Sequence, residues 1–511
     1  MKYPGVVLIF FSMVLGAVAQ NNPSLEATNV VVGGKPMSLQ DCIQESLNHN
    51  FDVQIQRYGP QISLYALYAD YAVFDPVFNL TGTHNYNVQP PSLNSDNMVI
   101  PSASTKSDTF DSSLSGVLPF TGLQYDFSGT IDQRNGTGFI GTTNIIPEPF
   151  QNSAGSVQVQ LTQPLLQNFW IDKSRLTIKL GKNQLQSSEQ GFRSQVITSV
   201  TAVETAYYEL IYALENLKVQ KEALALSQTQ LDQDRQRLAI GTVALLSVQQ
   251  DQSQVAQNLS TVISAQATLE KDQNTLKTLI TDNYPRWHDT DIQPTETLTA
   301  PLVLFNLQDS WSRGMTERPD LLQARLSVEA QGIQLKFDFN QLLPQLNVTG
   351  SYGYNGAGAV YNDTFSEISS RNSPFYSWGG ELSLPLSNVG ARNTYKGDKV
   401  TEKQLVLKLK QLEQNIMESI DTAIKTAQSD YESVQATRDA RIYAEEALDA
   451  EQKTYAVGKA TTFEVLTYQN NLTSARGAEI RALANYEEDL ANLAQQEGST
   501  LERLGINIEA N

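Results

Sequence analysis

Residues 74–88 read FDPVFNLTGTHNYNV, and residues 343–355 read LPQLNVTGSYGYN. In the first stretch Phe78, Leu80, Tyr86 and Val88 share one parity, and Asn79, Thr81, Thr83, Asn85 and Asn87 take the other. A period of two belongs to a β-strand with one apolar and one polar face. The pattern returns in 123–132, where Leu123, Tyr125, Phe127 and Ile131 alternate with Gln124, Asp126, Ser128, Thr130 and Asp132. It returns again in 157–162, and more weakly in 110–118, 346–354 and 380–386. These make six candidate strands of about 9–11 residues, the length a tilted strand needs to cross a bilayer. A soluble sandwich alternates in the same way, so the flanking sequence has to decide. The intervals 89–109, 133–153 and 355–377 are rich in Ser, Asn, Gly and Pro and read as long loops.

Both strand openings sit inside a longer repeat. Leu39-Gln40-Asp41 matches Leu307-Gln308-Asp309, Arg57 matches Arg325, Pro76 matches Pro344, and Tyr86-Asn87 matches Tyr354-Asn355, all at an offset of 268. A second block, Arg237 to Gly241, matches Lys453 to Gly458 with the glycines aligned at an offset of 217. The first copy therefore carries about 50 more residues between the blocks, within 88–160. A gap-free shared offset over about 50 residues is the mark of internal duplication.

Between the strands and each glycine lies a long helix. No proline occurs between Pro164 and Pro285 or after Pro385, and both windows are rich in good helix formers. Val196, Val203, Leu210, Leu217, Leu224, Leu231 and Leu238 recur every seven residues. The second copy repeats the stripe as Ile420, Ala427, Val434, Arg441, Leu448 and Tyr455, with Arg441 its one break. A sustained period of seven means left-handed supercoiling against neighbours. Asp172–Ile240 and Asn393–Val457 each span roughly 100 Å as single helices. The returning helices, 245–283 and 462–496, are about half as long and can stack end to end on short opening helices. One opener runs from Pro319 to Gln341; the other carries Gly59-Pro60 and is expected to kink there. The apolar stripe is narrow and the other faces are polar. That suits a hollow ring of helices better than a solid bundle, although a solid coiled coil shares the heptads.

Composition narrows the function. Lys2, the apolar run Val6–Phe11 and Ala17-Val18-Ala19 read as a signal peptide cleaved before Gln20, hence export. After residue 19 no apolar stretch is long enough for a transmembrane helix, so any spanning segment is β. Cys42, the single cysteine, excludes an internal disulfide and reads as a buried thiol on a helix. A formal charge of −19 argues against a nucleic-acid partner. His49, His84 and His288 lie far apart, so no metal site is expected. No catalytic constellation appears, and neither an enzyme nor a cofactor is expected.

These features together resemble the TolC-like outer-membrane efflux family. The resemblance rests on the paired Leu-Gln-Asp segments and on the strand entries Phe74-Asp75-Pro76 and Leu343-Pro344-Gln345. It rests also on the exits Leu161 to Leu165 and Leu384-Pro385-Leu386, and on the tips Gly241 and Gly458. It implies an α+β membrane protein, a trimeric β-barrel in the outer membrane continued by a long α-helical barrel in the periplasm. The parts are a signal peptide (1–19), an N-terminal segment (20–37), a first repeat (38–283), a linker (284–305), a second repeat (306–497) and a C-terminal tail (498–511). The implied role is the exit channel of a tripartite efflux or type I secretion system. Its partners are two further copies, outer-membrane lipid, a periplasmic adaptor and an inner-membrane transporter. The family supplies four strands per chain; here 110–118 and 123–132 form an extra hairpin, inside the barrel or outside the membrane.

The resemblance also assigns residues. Arg237, Gly241, Lys453 and Gly458 belong to helix tips that dock the adaptor, although a glycine at a helix end is also plain turn chemistry. Tyr455 occupies the place of a tyrosine that holds the channel mouth closed. Its family partner is an acid, where this chain has Ser247, which leaves a neutral hydroxyl bond. The family's basic latch falls on Ala460 and is absent. Glu464 matches an acidic ring position and Thr467 lacks the charge of another; a solvated helix end explains Glu464 equally well. The competing function is an exported coiled-coil structural or adhesin-type surface protein, which does not account for alternating strands ahead of each long helix.

Overall fold

The computed structural model describes residues 34–93, 97–140 and 146–507. The expected signal peptide, most of the N-terminal segment and residues 508–511 lie outside the described residues. In the first copy the order is α1 (Leu39–His49), α2 (Phe51–Tyr71), β1 (Val77–Gln89), β2 (Ala103–Val117), β3 (Gln124–Ile140), β4 (Ile146–Pro164), α3 (Lys173–Ala239) and α4 (Leu245–Ile280). The second runs α5 (Leu307–Glu317), α6 (Pro319–Gln341), β5 (Gln345–Gly358), α7 (Tyr361–Ser370), β6 (Pro374–Ser383), α8 (Val389–Ala456) and α9 (Thr462–Glu497), with a final turn, α10 (Thr500–Arg503). Between the copies Ile292–Pro294 pairs in parallel with Lys35–Met37.

The duplication reaches individual hydrogen bonds. Arg57 Nη2 donates to Leu47 O at 3.2 Å, and Arg325 Nη2 donates to Met315 O at 3.0 Å. Ser38 caps α1, accepting from Asp41 N while Asp41 accepts from Ser38 N. Asn306 caps α5, accepting from Gln308 N. Such caps satisfy N–H groups that have no partner inside the helix. The end-to-end stacking is present in both copies. Asn50, before α2, donates to Leu279 O near the end of α4 at 3.0 Å. Arg318, before α6, donates to Gln496 O near the end of α9 at 3.1 Å. α2 runs through Gly59-Pro60 as one helix, with Pro60 buried.

The long helices contain 67 and 68 residues, or roughly 100 Å at about 1.5 Å per residue. Their heptad stripe is the seam. Val196, Val203, Leu210, Leu217 and Leu231 are buried, as are Ile420, Ala427, Val434, Leu448 and Tyr455. Each Val, Leu or Ile of the stripe contributes about 1.5–3 kcal/mol when fully buried. Arg441, the break in the stripe, is paired with Glu479 of α9 and with Glu445. Polar links cross the other seams: Arg481 grips Glu209 at 2.7 and 2.8 Å, and Gln254 meets Asn470 at 3.0 Å. The main core lies where the short elements meet α3 and α4, around Met37, Cys42, Val200, Tyr207, Leu276 and Ile292. Burial pushes the Cys42 thiol up to about 12.

One seam makes stability pH-dependent. Asp489 of α9 meets Asp430 of α8; burial first, then that neighbour, push Asp489 up to about 7. In the unfolded chain an aspartate titrates near about 3.9. The folded state thus holds its proton more tightly, a stabilisation complete below about pH 4 and lost as pH rises through about 7. The heat-unfolding midpoint should fall between about pH 5 and pH 8, and Asp489→Asn should flatten that slope. A midpoint rising with pH would contradict the pairing.

All six long strands form one antiparallel sheet in the order β6-β5-β4-β3-β2-β1. The extra hairpin is therefore part of the sheet, between β1 and β4. Registers give the two faces. One row crosses the sheet as Phe78, Leu114, Phe127, Val159, Tyr352 and Tyr376. A row of opposite parity reads Ser115, Asp126, Gln160, Ser351 and Ser377. At this level one face is apolar and the other polar from β2 to β6, and the second row ends on Val77 in β1.

Two expectations are corrected here. The strands of the larger hairpins are longer than 9–11 residues: β2, β3 and β4 have 15, 17 and 19. They run into the intervals 89–109 and 133–153 expected to be loops, because backbone pairing continues after apolar alternation stops. The interval 355–377 holds a helix, α7, rather than a plain loop. α7 lies on the apolar face. A Cβ on Gly155 would come within 3.2 Å of Thr364, and one on Gly356 within 2.7 Å of Ile368. Tyr361 meets Phe110 edge-on at 6.0 Å and donates to Asp108 O at 2.9 Å.

Candidate functional site at the helix tips

Both long helices end in the same cap. Gly241 N donates to Leu238 O and Thr242 N to Arg237 O; Gly458 N donates to Tyr455 O and Lys459 N to Thr454 O. The paired bonds make a Schellman motif, which needs a left-handed residue after the helix. Gly241 and Gly458 have φ of +77° and +76°, where a side chain would be strained. Nothing lies within 4 Å of where their Cβ atoms would be, so the glycines serve the backbone and leave the tips open.

The tips enclose a cleft lined by Arg237, Thr242, Ser247, Tyr455, Gly458 and Thr462, among others. Tyr455 crosses it, only 9% exposed. Its hydroxyl donates to Asp234 of α3, 2.6 and 2.7 Å from the two carboxylate oxygens. It also lies 2.9 Å from Thr462 Oγ1, which donates to Asp234 at 3.0 Å. The expected pairing with Ser247 is therefore corrected: a buried carboxylate takes the hydroxyl, and it stands before the first tip rather than after it. A charged acceptor is the stronger one. Ser247 lines the cleft, its backbone bonded to Ala244 O. Burial, then the Asp234 hydrogen bond, raise the Tyr455 phenol.

The other assigned residues fall around this tie. Arg237 turns inward, its guanidinium 4.5 Å from the centre of the Tyr455 ring and 3.8 Å from Asp234. Lys453 is exposed and paired with Asp449 one turn back. Ala460 lines the cleft without charge. Glu464 is exposed and closes a capping box on α9: its carboxylate accepts from Thr461 N at 2.7 Å while Thr461 Oγ1 accepts from Glu464 N. Those bonds from Thr461 lower its carboxyl. Asp234, Thr462 and, beside Asp234, the buried Asp251 of α4 complete the site and were not singled out in the sequence. No helix among the described residues is long and apolar enough to cross a membrane. Among the same residues no group of three or more His, Cys, Asp or Glu side chains is placed to hold a metal ion.

This architecture has known relatives. The chain is 25% identical over 406 residues to outer membrane protein TolC of Escherichia coli, covering 76% of each. It is 22% identical over 337 residues to the outer membrane efflux protein BepC of Brucella suis, covering 66% of this chain and 70% of that one. Among solved structures, the Campylobacter jejuni CmeC outer membrane channel superposes with a TM-score of 0.64 at 14% identity, over 90% of this chain and 86% of that one. The outer membrane protein VceC of Vibrio cholerae gives 0.64 at 16% identity, over 90% and 96%. These likenesses establish the fold. The family model for outer membrane efflux proteins matches residues 128–281 and 313–499, more than half of the chain, and the protein is therefore a member of the outer membrane efflux protein family.

Proposed function

We propose that three copies of this chain form the exit duct of a tripartite efflux or type I secretion system. In that role it carries out no chemistry of its own. The observation that carries the proposal is how much a single copy leaves unpartnered. On α2, Phe51, Ile55, Tyr58, Ile62 and Tyr65 repeat at three- and four-residue spacing and are 57–69% exposed. Such a stripe is the seam of a helix whose neighbour lies on another copy. Among the described residues the sheet likewise ends in two unpaired edges, β1 and β6, and closing it through other copies removes them. Six strands from each of three copies would make a barrel of eighteen, apolar outside and polar within.

In this reading the helical barrel crosses the periplasm and the tips form its inner mouth. The glycine caps, with Lys453 on their outer side, dock a periplasmic adaptor. The adaptor joins the duct to an inner-membrane transporter that supplies small molecules or proteins. Tyr455, bonded to Asp234, holds the two hairpins of one copy together at the mouth. Glu464 adds one carboxylate per copy beside it, and a ring of three favours cations.

The test is single-channel recording of the detergent-extracted assembly in planar bilayers. Discrete, cation-selective steps are expected, with Glu464→Gln lowering the cation-to-anion permeability ratio several-fold. A protein that gives no steps overturns the duct. Unchanged selectivity in Glu464→Gln leaves that residue only its helix cap.

A further inference from the structure

The tie at the mouth has a second carboxyl that the family resemblance did not assign. Asp251 of α4 is 0% exposed, as is Asp234. Asp234 is well supplied as an anion: Tyr455 and Thr462 donate to it, and Arg237 stands 3.8 Å away. Asp251 has no such company. With both carboxyls ionised, neither of its oxygens has a hydrogen-bond partner among the described residues, although it lies within bonding reach of Asp234. Two acceptors cannot bond each other; one proton between them makes the contact a bond.

Among the described residues no other group at this seam donates to Asp251, and the buried amide nitrogens of Gln230 and Gln469 have no hydrogen-bond partner either. From α3 come Asp234, Arg237 and the amide of Gln230; from the end of α8, Tyr455; from α9, Thr462 and the amide of Gln469. Arg237 is spent on the Tyr455 ring and on Asp234. Lys453 is paired with Asp449, and Glu464 is exposed and bonded to Thr461.

We propose that Asp251 is the positioning residue of the mouth: carrying a proton, it donates to Asp234 and holds that carboxylate against Tyr455 and Thr462, and the tie slackens when the proton leaves. The assignment rests on the reading of the tips as the channel mouth. Burial, then the charge of Asp234, push the Asp251 carboxyl up to about 7. Below that pH the proton stays and the two hairpins are tied. Above it two buried negative charges face each other across α3 and α4, and the tips move apart. Between about pH 6 and pH 8 the deprotonated population rises about tenfold.

The experiment records mean current through the assembled channel in planar bilayers, titrated from about pH 5.5 to pH 8.5. Wild type is expected to leak more as pH rises, by several-fold with a midpoint near 7. Asp251→Asn, whose amide donates at every pH, should stay low throughout. Asp251→Ala, which donates at none, should leak at every pH. A pH step that survives in Asp251→Asn overturns the assignment, as does a wild type with no step. The infrared band of protonated carboxyl groups is read in parallel. Its partial loss in Asp251→Asn at about pH 6 is expected whether or not the protein conducts, so a channel failure is distinguishable from a failure of the pair. An unchanged band means that Asp251 carries no proton.

Discussion

Tyr455→Phe is expected to raise resting current through the channel strongly while leaving the assembly intact. The phenol fills the cleft with or without its hydroxyl, so packing survives. What is lost is the donor to a buried carboxylate, a bond worth about 1.5–3 kcal/mol. At about 1.4 kcal/mol per factor of ten, that shifts the tied-to-untied equilibrium by roughly 10- to 100-fold. Ser247→Ala serves as the contrast. If the tie runs to Asp234, as the 2.6 and 2.7 Å contacts place it, Ser247→Ala leaves the current near wild type. The opposite result, a leaking Ser247→Ala beside a tight Tyr455→Phe, would return the lock to the position assigned by family resemblance.

The second large effect concerns the last turn of the chain. Arg503 of α10 places its guanidinium 2.6 and 2.7 Å from the two oxygens of Glu204, which is 0% exposed on α3. Arg503→Ala leaves that carboxylate buried without its partner. Breaking a fully buried pair costs about 3–5 kcal/mol, but the Arg503 side chain is 38% exposed and water screens part of the loss. A destabilisation of about 2–3 kcal/mol is expected, measured by unfolding of the detergent-solubilised protein. Burial already raises the Glu204 carboxyl against the pull of Arg503, and removing the arginine raises it further. The deficit should therefore shrink as pH falls and the acid takes up a proton. Replacing both residues by methionine should recover most of the stability, since two apolar side chains leave no charge to solvate. A double variant as unstable as Arg503→Ala would mean that α10 is held by something other than the pair.

How far the fold was legible depended on whether a feature repeats. The seven-residue stripe located the seams because supercoiling demands that period. The break at Arg441 located a salt bridge to Glu479. The alternation beginning at Phe78 located the sheet, since a two-faced sheet needs that parity. The ends of β3 and β4 were not legible, because residues 133–140 and 146–153 stop alternating while their backbones go on pairing. α7 was hidden for another reason. Its bed is made of Gly155 and Gly356, which become neighbours only through the register of β4 with β5.

The mouth divides in the same way. The Gly241 and Gly458 caps were legible, because a left-handed residue after a helix favours glycine. Asp234 and Asp251 were not found by motif, yet Asp234 lies five residues before the end of α3 at Ala239 and Asp251 six residues after the start of α4 at Leu245. In a helical hairpin such positions face each other, so comparing residues symmetrically about each tip would have brought out the pair. The expectation for Ser247 failed because the resemblance carried over a position, whereas the chemistry requires only an acid within reach of the Tyr455 hydroxyl.

The central claim is that single copies are incomplete and close on one another. It is tested most directly by electron cryomicroscopy of the assembly in lipid. The account predicts three chains, eighteen strands in one closed barrel with Asp126 and Gln160 facing the lumen, and the α2 stripe of each copy packed on its neighbour. A barrel closed within one chain, or a solid helical bundle with the α2 stripe facing solvent, would contradict it.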